Sequence, residues 1–442
     1  PLTQHEIVQR APRFVGTRAE KEALAAYIVG GLNGGALDAR PEPVGIRPLT
    51  DAALPPFDPK NDDYVLLAWN DLGMHCVSDG DPWFVILPPG NTLEALLIKR
   101  GSTPEVVTEN VSISYAVEPG FERPSRHARF WEFSWANFGK KPAPDTGLTG
   151  KGLAGEFTHN TDTMSFVADG IPVLPYADAG TFNPYPLFTV KAKDPASGKV
   201  LATTRTVAPV STEMGCRNCH GGPWRWKNIS GIADDTARDI LRKHDRARGT
   251  DLLARAEKGK PRLCQSCHAD PALKASGDGK RLSLSASVHG LHANYMPVQG
   301  ADACGLCHPT HRTGATRCAR GVHASTGITC VNCHGPMSDH AISLLRAEES
   351  KRSAASLITH LRPEAVRAKT DIKPRKPWIN EPDCLTCHVE FKKPAPGASA
   401  FNVWTADSAE LYRNRTDNTG SLRCVACHNS PHAEYPARNP YT

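Results

Sequence analysis

The sequence predicts a mixed fold, with an N-terminal antiparallel β-sandwich-like domain followed by a C-terminal region of short helices and loops. Two observations predict it. Short apolar and alternating runs fill the first half of the 442 residues, and six copies of one five-residue cysteine motif occupy the second. A chain of this length is expected to form two or three domains. We therefore divide it into an arm at 1–60, a β-rich domain at 61–210 and a third domain at 211–442.

The arm is predicted to contain one helix and a linker. A capping-box pattern at 17–20 opens the helix, and two glycines at 30–31 end it. Prolines then dominate 41–59.

Strands are predicted in the second segment. Apolar runs at 64–69 and 83–87 and a period-two alternation at 111–117 are typical of strands, and a hairpin joins 187–192 to 200–207. Short strands separated by proline and glycine favour an antiparallel sandwich of roughly 150 residues.

The cysteine motif of the third segment is Cys-x-x-Cys-His. Two thiols at this spacing can bond both vinyl groups of one porphyrin while the next imidazole binds its iron, so each copy is typical of a c-type haem site. The sequence therefore predicts six covalent haems. The attaching cysteines are Cys216, Cys219, Cys264, Cys267, Cys304, Cys307, Cys330, Cys333, Cys384, Cys387, Cys424 and Cys427, and the proximal iron ligands are His220, His268, His308, His334, His388 and His428.

Zinc is the alternative reading, since paired cysteines also build zinc ribbons. Zinc gives no reason for a histidine directly after all six pairs, so haem is favoured. The 232 residues of the third segment allot about 39 to each haem, which is too little for a separate core around each, and we expect the porphyrins to supply much of the buried apolar surface. Short helices are predicted at 234–241, 250–258 and 337–347. The shortest interval between proximal histidines, 308 to 334, predicts that the third and fourth haems are the closest pair.

The sixth ligand of each iron decides whether a cytochrome conducts electrons or binds substrate. Eight further histidines lie in the third segment, which is enough to saturate six irons. We predict as distal ligands His244, His289, His292, His323, His340 and His432. In reserve are His311, His360 and His75, with methionine at 214, 296 or 337 as the competing ligand type.

Cys76 and Cys318 are left over from the haem motifs. Haem attachment takes place outside the cytoplasm, where disulfides persist, so these two cysteines are predicted to form a disulfide, with two free buried thiols as the alternative. No apolar run approaches the ~20 residues that span a bilayer, and we expect a mature exported protein, periplasmic or extracellular.

The net charge of +6 is unevenly distributed. Residues 211–442 hold 33 Lys and Arg against 22 Asp and Glu, whereas residues 1–210 hold 19 against 24. Haem propionates are the simplest partners for this excess of basic residues, so no nucleic-acid partner is predicted. An acidic turn at 78–81 lacks the spacing of a calcium loop.

The six motifs and the surrounding histidines resemble the multihaem c-type cytochromes with which bacteria move electrons across the periplasm and out of the cell. The resemblance covers 214–432 and leaves the β-rich domain unassigned. It implies closely packed, mostly bis-histidine haems that conduct electrons to redox partner proteins or extracellular acceptors. Some members assemble head-to-tail into filaments in which one subunit completes a haem of the next, and here His5 is the candidate donor. The alternative is a multihaem reductase with one open iron, acting on a small nitrogen or sulfur compound.

Overall fold

The computed structural model describes residues 55–309, 316, 318–319, 321–405 and 422–432. The helix predicted in the arm, together with His5 and His311, lies outside these residues. The coarse prediction of a mixed fold is confirmed, because antiparallel sheets occupy the first half and short helices follow.

Most strands of the described residues precede the first cysteine motif. They are β1 (Tyr64–Asn70), β2 (His75–Cys76), β3 (Asn91–Lys99), β4 (Glu105–Val106), β5 (Ser112–Val117), β6 (Ala154–Glu156), β7 (Thr158–Asn160), β8 (Ser165–Ile171), β9 (Leu187–Lys193), β10 (Val200–Val207), β11 (Val210–Ser211), β12 (Trp224–Trp226) and β13 (Ser230–Ile232).

Two antiparallel sheets make up most of this half. One has the order β1-β3-β8-β7, with β4 paired to β3, and the other has the order β10-β9-β5-β6. Strands β2 and β11 add a short parallel pair, and β12 and β13 form a hairpin. Leu93 and Leu97 from the first sheet share one apolar core with Ile113 and Phe188 from the second. The two sheets therefore pack face to face, as the alternation at 111–117 leads one to expect.

The prediction of a strand at 83–87 is wrong. Trp83 and Phe84 are buried, but their backbone N–H groups both donate to the carbonyl of Gly80, which makes a turn. Trp83 packs with Ile232 and Leu241 of the second half, and its indole donates to Asp234 at 2.8 Å. This run is apolar because it contacts the helical half.

The helices are short apart from one. They are α1 (Phe130–Phe138), α2 (Arg217–His220), α3 (Asp234–Arg248), α4 (Leu252–Glu257), α5 (Leu284–His292), α6 (Gly300–Gly305), α7 (Gly321–Ser325), α8 (Cys330–His334), α9 (Met337–Arg346), α10 (Arg352–His360), α11 (Cys384–Cys387) and α12 (Val425–His428). The helices predicted at 250–258 and 337–347 are confirmed as α4 and α9. The helix predicted at 234–241 extends to Arg248, where Gly249 ends it in the left-handed conformation.

Polar bonds tie the two halves together. The Ser211 and Thr316 hydroxyls lie 3.0 Å apart, and Arg423 pairs with Glu94 of β3. Among the described residues, none of the helices has the length and apolar character that crossing a membrane requires.

Candidate haem sites

Each cysteine motif folds as about one helical turn. The backbone N–H of the motif histidine donates to the carbonyl of the first cysteine at 2.9–3.0 Å in the motifs of His220, His268, His308, His388 and His428, and the motif of His334 is helix α8. At α8 a capping box between Thr329 and Asn332 begins the turn. One turn brings two thiols and an imidazole to the same side, which is the arrangement that covalent haem attachment needs.

Five of the six motif histidines face a second histidine across a nearly constant gap. Metal–imidazole bonds of about 2 Å on each side of one iron put the two ring centres about 6 Å apart, and the ring centres of these five pairs are separated by 6.1–6.5 Å. The pairs are His220 with His292, His268 with His244, His308 with His289, His388 with His323, and His334 with His432. None of the ten residues is fully buried, and the donor set and its spacing fit a haem iron.

Hydrogen bonds fix the orientation of most of these rings. In eight of the ten histidines Nδ1 lies 2.7–3.5 Å from a carbonyl, hydroxyl or carboxylate oxygen. His289 and His292 donate to the carbonyls one turn earlier in α5, and His432 donates to Leu72 of the β-rich half. An Nδ1–H donor leaves Nε2 unprotonated, which is the atom and the state that bind a metal.

Burial keeps several of these imidazoles neutral. Desolvation, reinforced by His308, lowers the pKa of His289 to about 4. Desolvation likewise lowers the pKa of His244, His292 and His308. Neutral imidazole is the form that binds a metal, so these side chains are already in the protonation state that iron binding requires at neutral pH.

His340 lies differently from the other predicted distal ligands. Its ring centre is 4.7 Å from that of His289 and 5.8 Å from that of His334, both edge to face. A gap of 4.7 Å leaves no room for an iron between His340 and His289, and His334 already faces His432. The assignment of His340 as a ligand is not favoured by these distances. Its Nδ1 is buried without a hydrogen-bond partner in the part of the chain that the structure describes.

The remaining predicted histidines have other surroundings. His75 places Nε2 3.0 Å from the carbonyl of Pro88, so that nitrogen is engaged within the β-rich half. His360 is exposed at the end of α10. The exposed ring of His428 has no ring contact with another described histidine.

Neighbouring motifs touch through their cysteines. The Cys304 thiol hydrogen-bonds that of Cys330, and the Cys384 thiol hydrogen-bonds that of Cys424. The first contact joins the third and fourth motifs, which were predicted to be the closest pair, and the second joins the fifth and sixth.

Weaker approaches extend the row. Cys307 lies close enough to Cys216 and Cys219, and Cys333 to Cys387, for each neighbour to raise its thiol pKa after the larger effect of burial. Cys216 and Cys264 pack on one apolar cluster around Phe84. The motifs therefore follow one another in space in the order second, first, third, fourth, fifth, sixth, which is not the order along the chain.

The two cysteines outside the motifs also meet. Cys318 hydrogen-bonds Cys76, and this contact together with burial raises the pKa of Cys318 well above its ordinary value. Both are free thiols in the structure, so the disulfide stays a prediction that this proximity allows.

No protein-family model and no curated protein matches this chain. Its function is therefore inferred from its own residues. Within the described residues, no group of three or more His, Cys, Asp or Glu side chains is arranged to hold a metal ion by itself.

Proposed function

We propose that this chain is an exported hexahaem c-type cytochrome that conducts electrons between redox partner proteins or extracellular acceptors. The observation that carries the proposal is the set of five histidine pairs, each with one member in a Cys-x-x-Cys-His motif and with ring centres 6.1–6.5 Å apart. Iron with two imidazole ligands has no position left for substrate, which favours electron transfer over catalysis.

The cysteines and histidines of each site would have different roles. The twelve motif cysteines would attach the cofactors, and the paired histidines would hold each iron from both sides. When bound, each haem supplies a one-electron iron couple. The protein would fix the ligand orientation through Nδ1 hydrogen bonds, and the closeness of neighbouring motifs, such as Cys304 beside Cys330, would keep successive sites adjacent.

One helix would supply ligands to two sites. Helix α5 carries both His289, opposite His308, and His292, opposite His220. Its Gly290 packs against Leu345 of α9, so the position of this helix relative to α9 sets the ligand geometry of the first and third sites together.

The test is a count of covalent haems by mass spectrometry, followed by electron paramagnetic resonance of the oxidised protein. We expect six haems, with at least five low-spin irons that do not respond to cyanide. Ring planes lie within 16° of parallel in two pairs and 45–89° apart in the other three, so we expect two classes of low-spin signal. A protein with zinc in place of haem, or with most irons high-spin, would overturn the proposal.

A second function is favoured by one observation, the absence of a described histidine opposite His428. An open iron there would suit a reductase that acts on a small nitrogen or sulfur compound. A high-spin signal equal to one haem that disappears on adding nitrite or cyanide supports the reductase.

The iron of the sixth site could instead be bound by His5 or His311, which lie outside the described residues. In a filament, His5 of a second copy would bind it. A low-spin signal that becomes high-spin in the His5→Ala variant, together with loss of assembly in light scattering, supports the filament. If the low-spin signal is unchanged in His5→Ala and lost in His311→Ala, the ligand is internal.

A further inference from the structure

The proximal histidine of the first site has an unusual hydrogen-bond partner. His220 Nδ1 lies 2.8 Å from Oδ2 of Asp239, and both side chains are nearly buried, with 11% and 12% of their surface exposed. Asp239 lies on α3, the helix that also carries His244 of the second site. Lys243 holds the same carboxylate oxygen at 2.8 Å from the next turn.

The Nδ1 partners of the other paired histidines in the described residues are of a different kind. The partners of His268, His289, His292, His388 and His432 are backbone carbonyls. At the fourth site His334 Nδ1 lies 2.9 Å from Nη1 of Arg375. A guanidinium has only donors, so this contact offers no acceptor to an Nδ1–H.

This contact between His220 and Asp239 changes the electron donation of an iron ligand. A carboxylate that accepts the Nδ1–H draws the proton away and makes the imidazole a stronger electron donor, which stabilises ferric over ferrous iron and lowers the reduction potential. The effect is strengthened by the low exposure of the two side chains.

We infer that Asp239 is a positioning residue that lowers the reduction potential of the first haem site below that of its neighbours in the row. The inference rests on the proposed function. The third site follows the first in the row of motifs, so the lower potential would give electrons a downhill direction from the first site towards the third.

The test is a potentiometric titration of the intact protein, followed optically, for Asp239→Asn. Asparagine keeps the shape but removes the charge, so we expect one of the most negative midpoint potentials to move to a more positive value while the others stay. The matched control is Asp235→Asn, which removes an exposed carboxylate from the same helix and is expected to leave all six potentials nearly unchanged. Asp239→Glu, which restores a carboxylate, is expected to reverse part of the shift.

The outcomes separate this inference from the proposed function. Unchanged potentials in Asp239→Asn, or an equal shift in Asp235→Asn, overturn the inference even if six low-spin haems are present. A wild-type protein without covalent haem overturns the proposed function itself.

Discussion

At the scale of single residues, His340 shows that a histidine beside a candidate haem site need not face another histidine at the distance that suits an iron. Desolvation with His289 and His334 lowers its pKa well below the ordinary value. The neutral imidazole fills space between the third and fourth sites, and its buried Nδ1 has no hydrogen-bond partner among the described residues.

We predict that His340→Leu leaves the low-spin signals of the oxidised protein intact. Leucine keeps most of the packing volume, so the loss of stability should be small, about 1 kcal/mol. Electron paramagnetic resonance distinguishes the alternatives: a new high-spin signal of one haem would make His340 a ligand. Val288→Ala, an exposed change nearby, is the control.

Asp81 is a second residue whose surroundings in the structure lead to a prediction. It is buried, its Oδ2 has no hydrogen-bond partner among the described residues, and desolvation together with Asp79 raises its pKa to about 7. The unfolded chain loses this proton near the ordinary value of 3.8, so between these values the folded state binds more protons. This group therefore lowers the free energy of unfolding as pH rises from about 4 to about 7.

We predict that Asp81→Asn removes this dependence. The variant should be more stable than the wild type at pH 8, by about 1–3 kcal/mol, and by a clearly smaller amount at pH 5. Urea denaturation followed by far-ultraviolet circular dichroism at both values measures the difference. An equal effect of the substitution at pH 5 and pH 8 would contradict the assigned pKa.

At the scale of elements, helix α5 depends on its contact with α9. A Cβ at Gly290 would lie 2.9 Å from a methyl group of Leu345, which is fully buried. Close approach of the two helices at a glycine brings His289 and His292 to their partners.

We predict that Gly290→Val separates α5 from α9, costs about 1–3 kcal/mol, and weakens axial ligation at the first and third sites only. The measurement is the number of irons that become high-spin, with two expected. The double variant Gly290→Val with Leu345→Ala makes room for the new side chain and should restore much of the low-spin signal. High-spin signal spread over all sites would indicate general unfolding instead.

At the scale of the whole molecule, Cys76 and Cys318 connect the strands to the helical half. Cys76 lies in β2, which pairs with β11, and Cys318 follows the third motif. A bond between them would close a loop of more than 200 residues.

We predict that Cys76→Ser destabilises the protein by about 2–4 kcal/mol, as does Cys318→Ser, and that the double variant loses no more than either one. Mass spectrometry after alkylation without reductant gives a direct check, since a disulfide leaves no free thiol to modify. Alkylation of two thiols in the wild type would show that the pair is reduced.

Features that depend on residues close together in the chain could be predicted from the sequence, and features that depend on distant residues could not. The motif at 216–220 predicts its own helical turn because the contacts lie within five residues, and the hairpin at 187–207 is predicted because its strands are neighbours in sequence. The strand predicted at 83–87 does not form, because the apolar side chains of this run contact α3, some 150 residues away. The same limit applies to the distal histidines, since the distance from His432 to His334 is a tertiary property.

The sequence by itself determined the predicted number of haem sites and their proximal histidines, because both are encoded within five consecutive residues. It also predicted the mixed fold, because strand alternation and helix signals are local. Tertiary structure alone decided which histidine faces which, the spatial order of the six motifs, and the partners of His220 and His334. These depend on contacts between segments far apart in the chain, which no local pattern encodes.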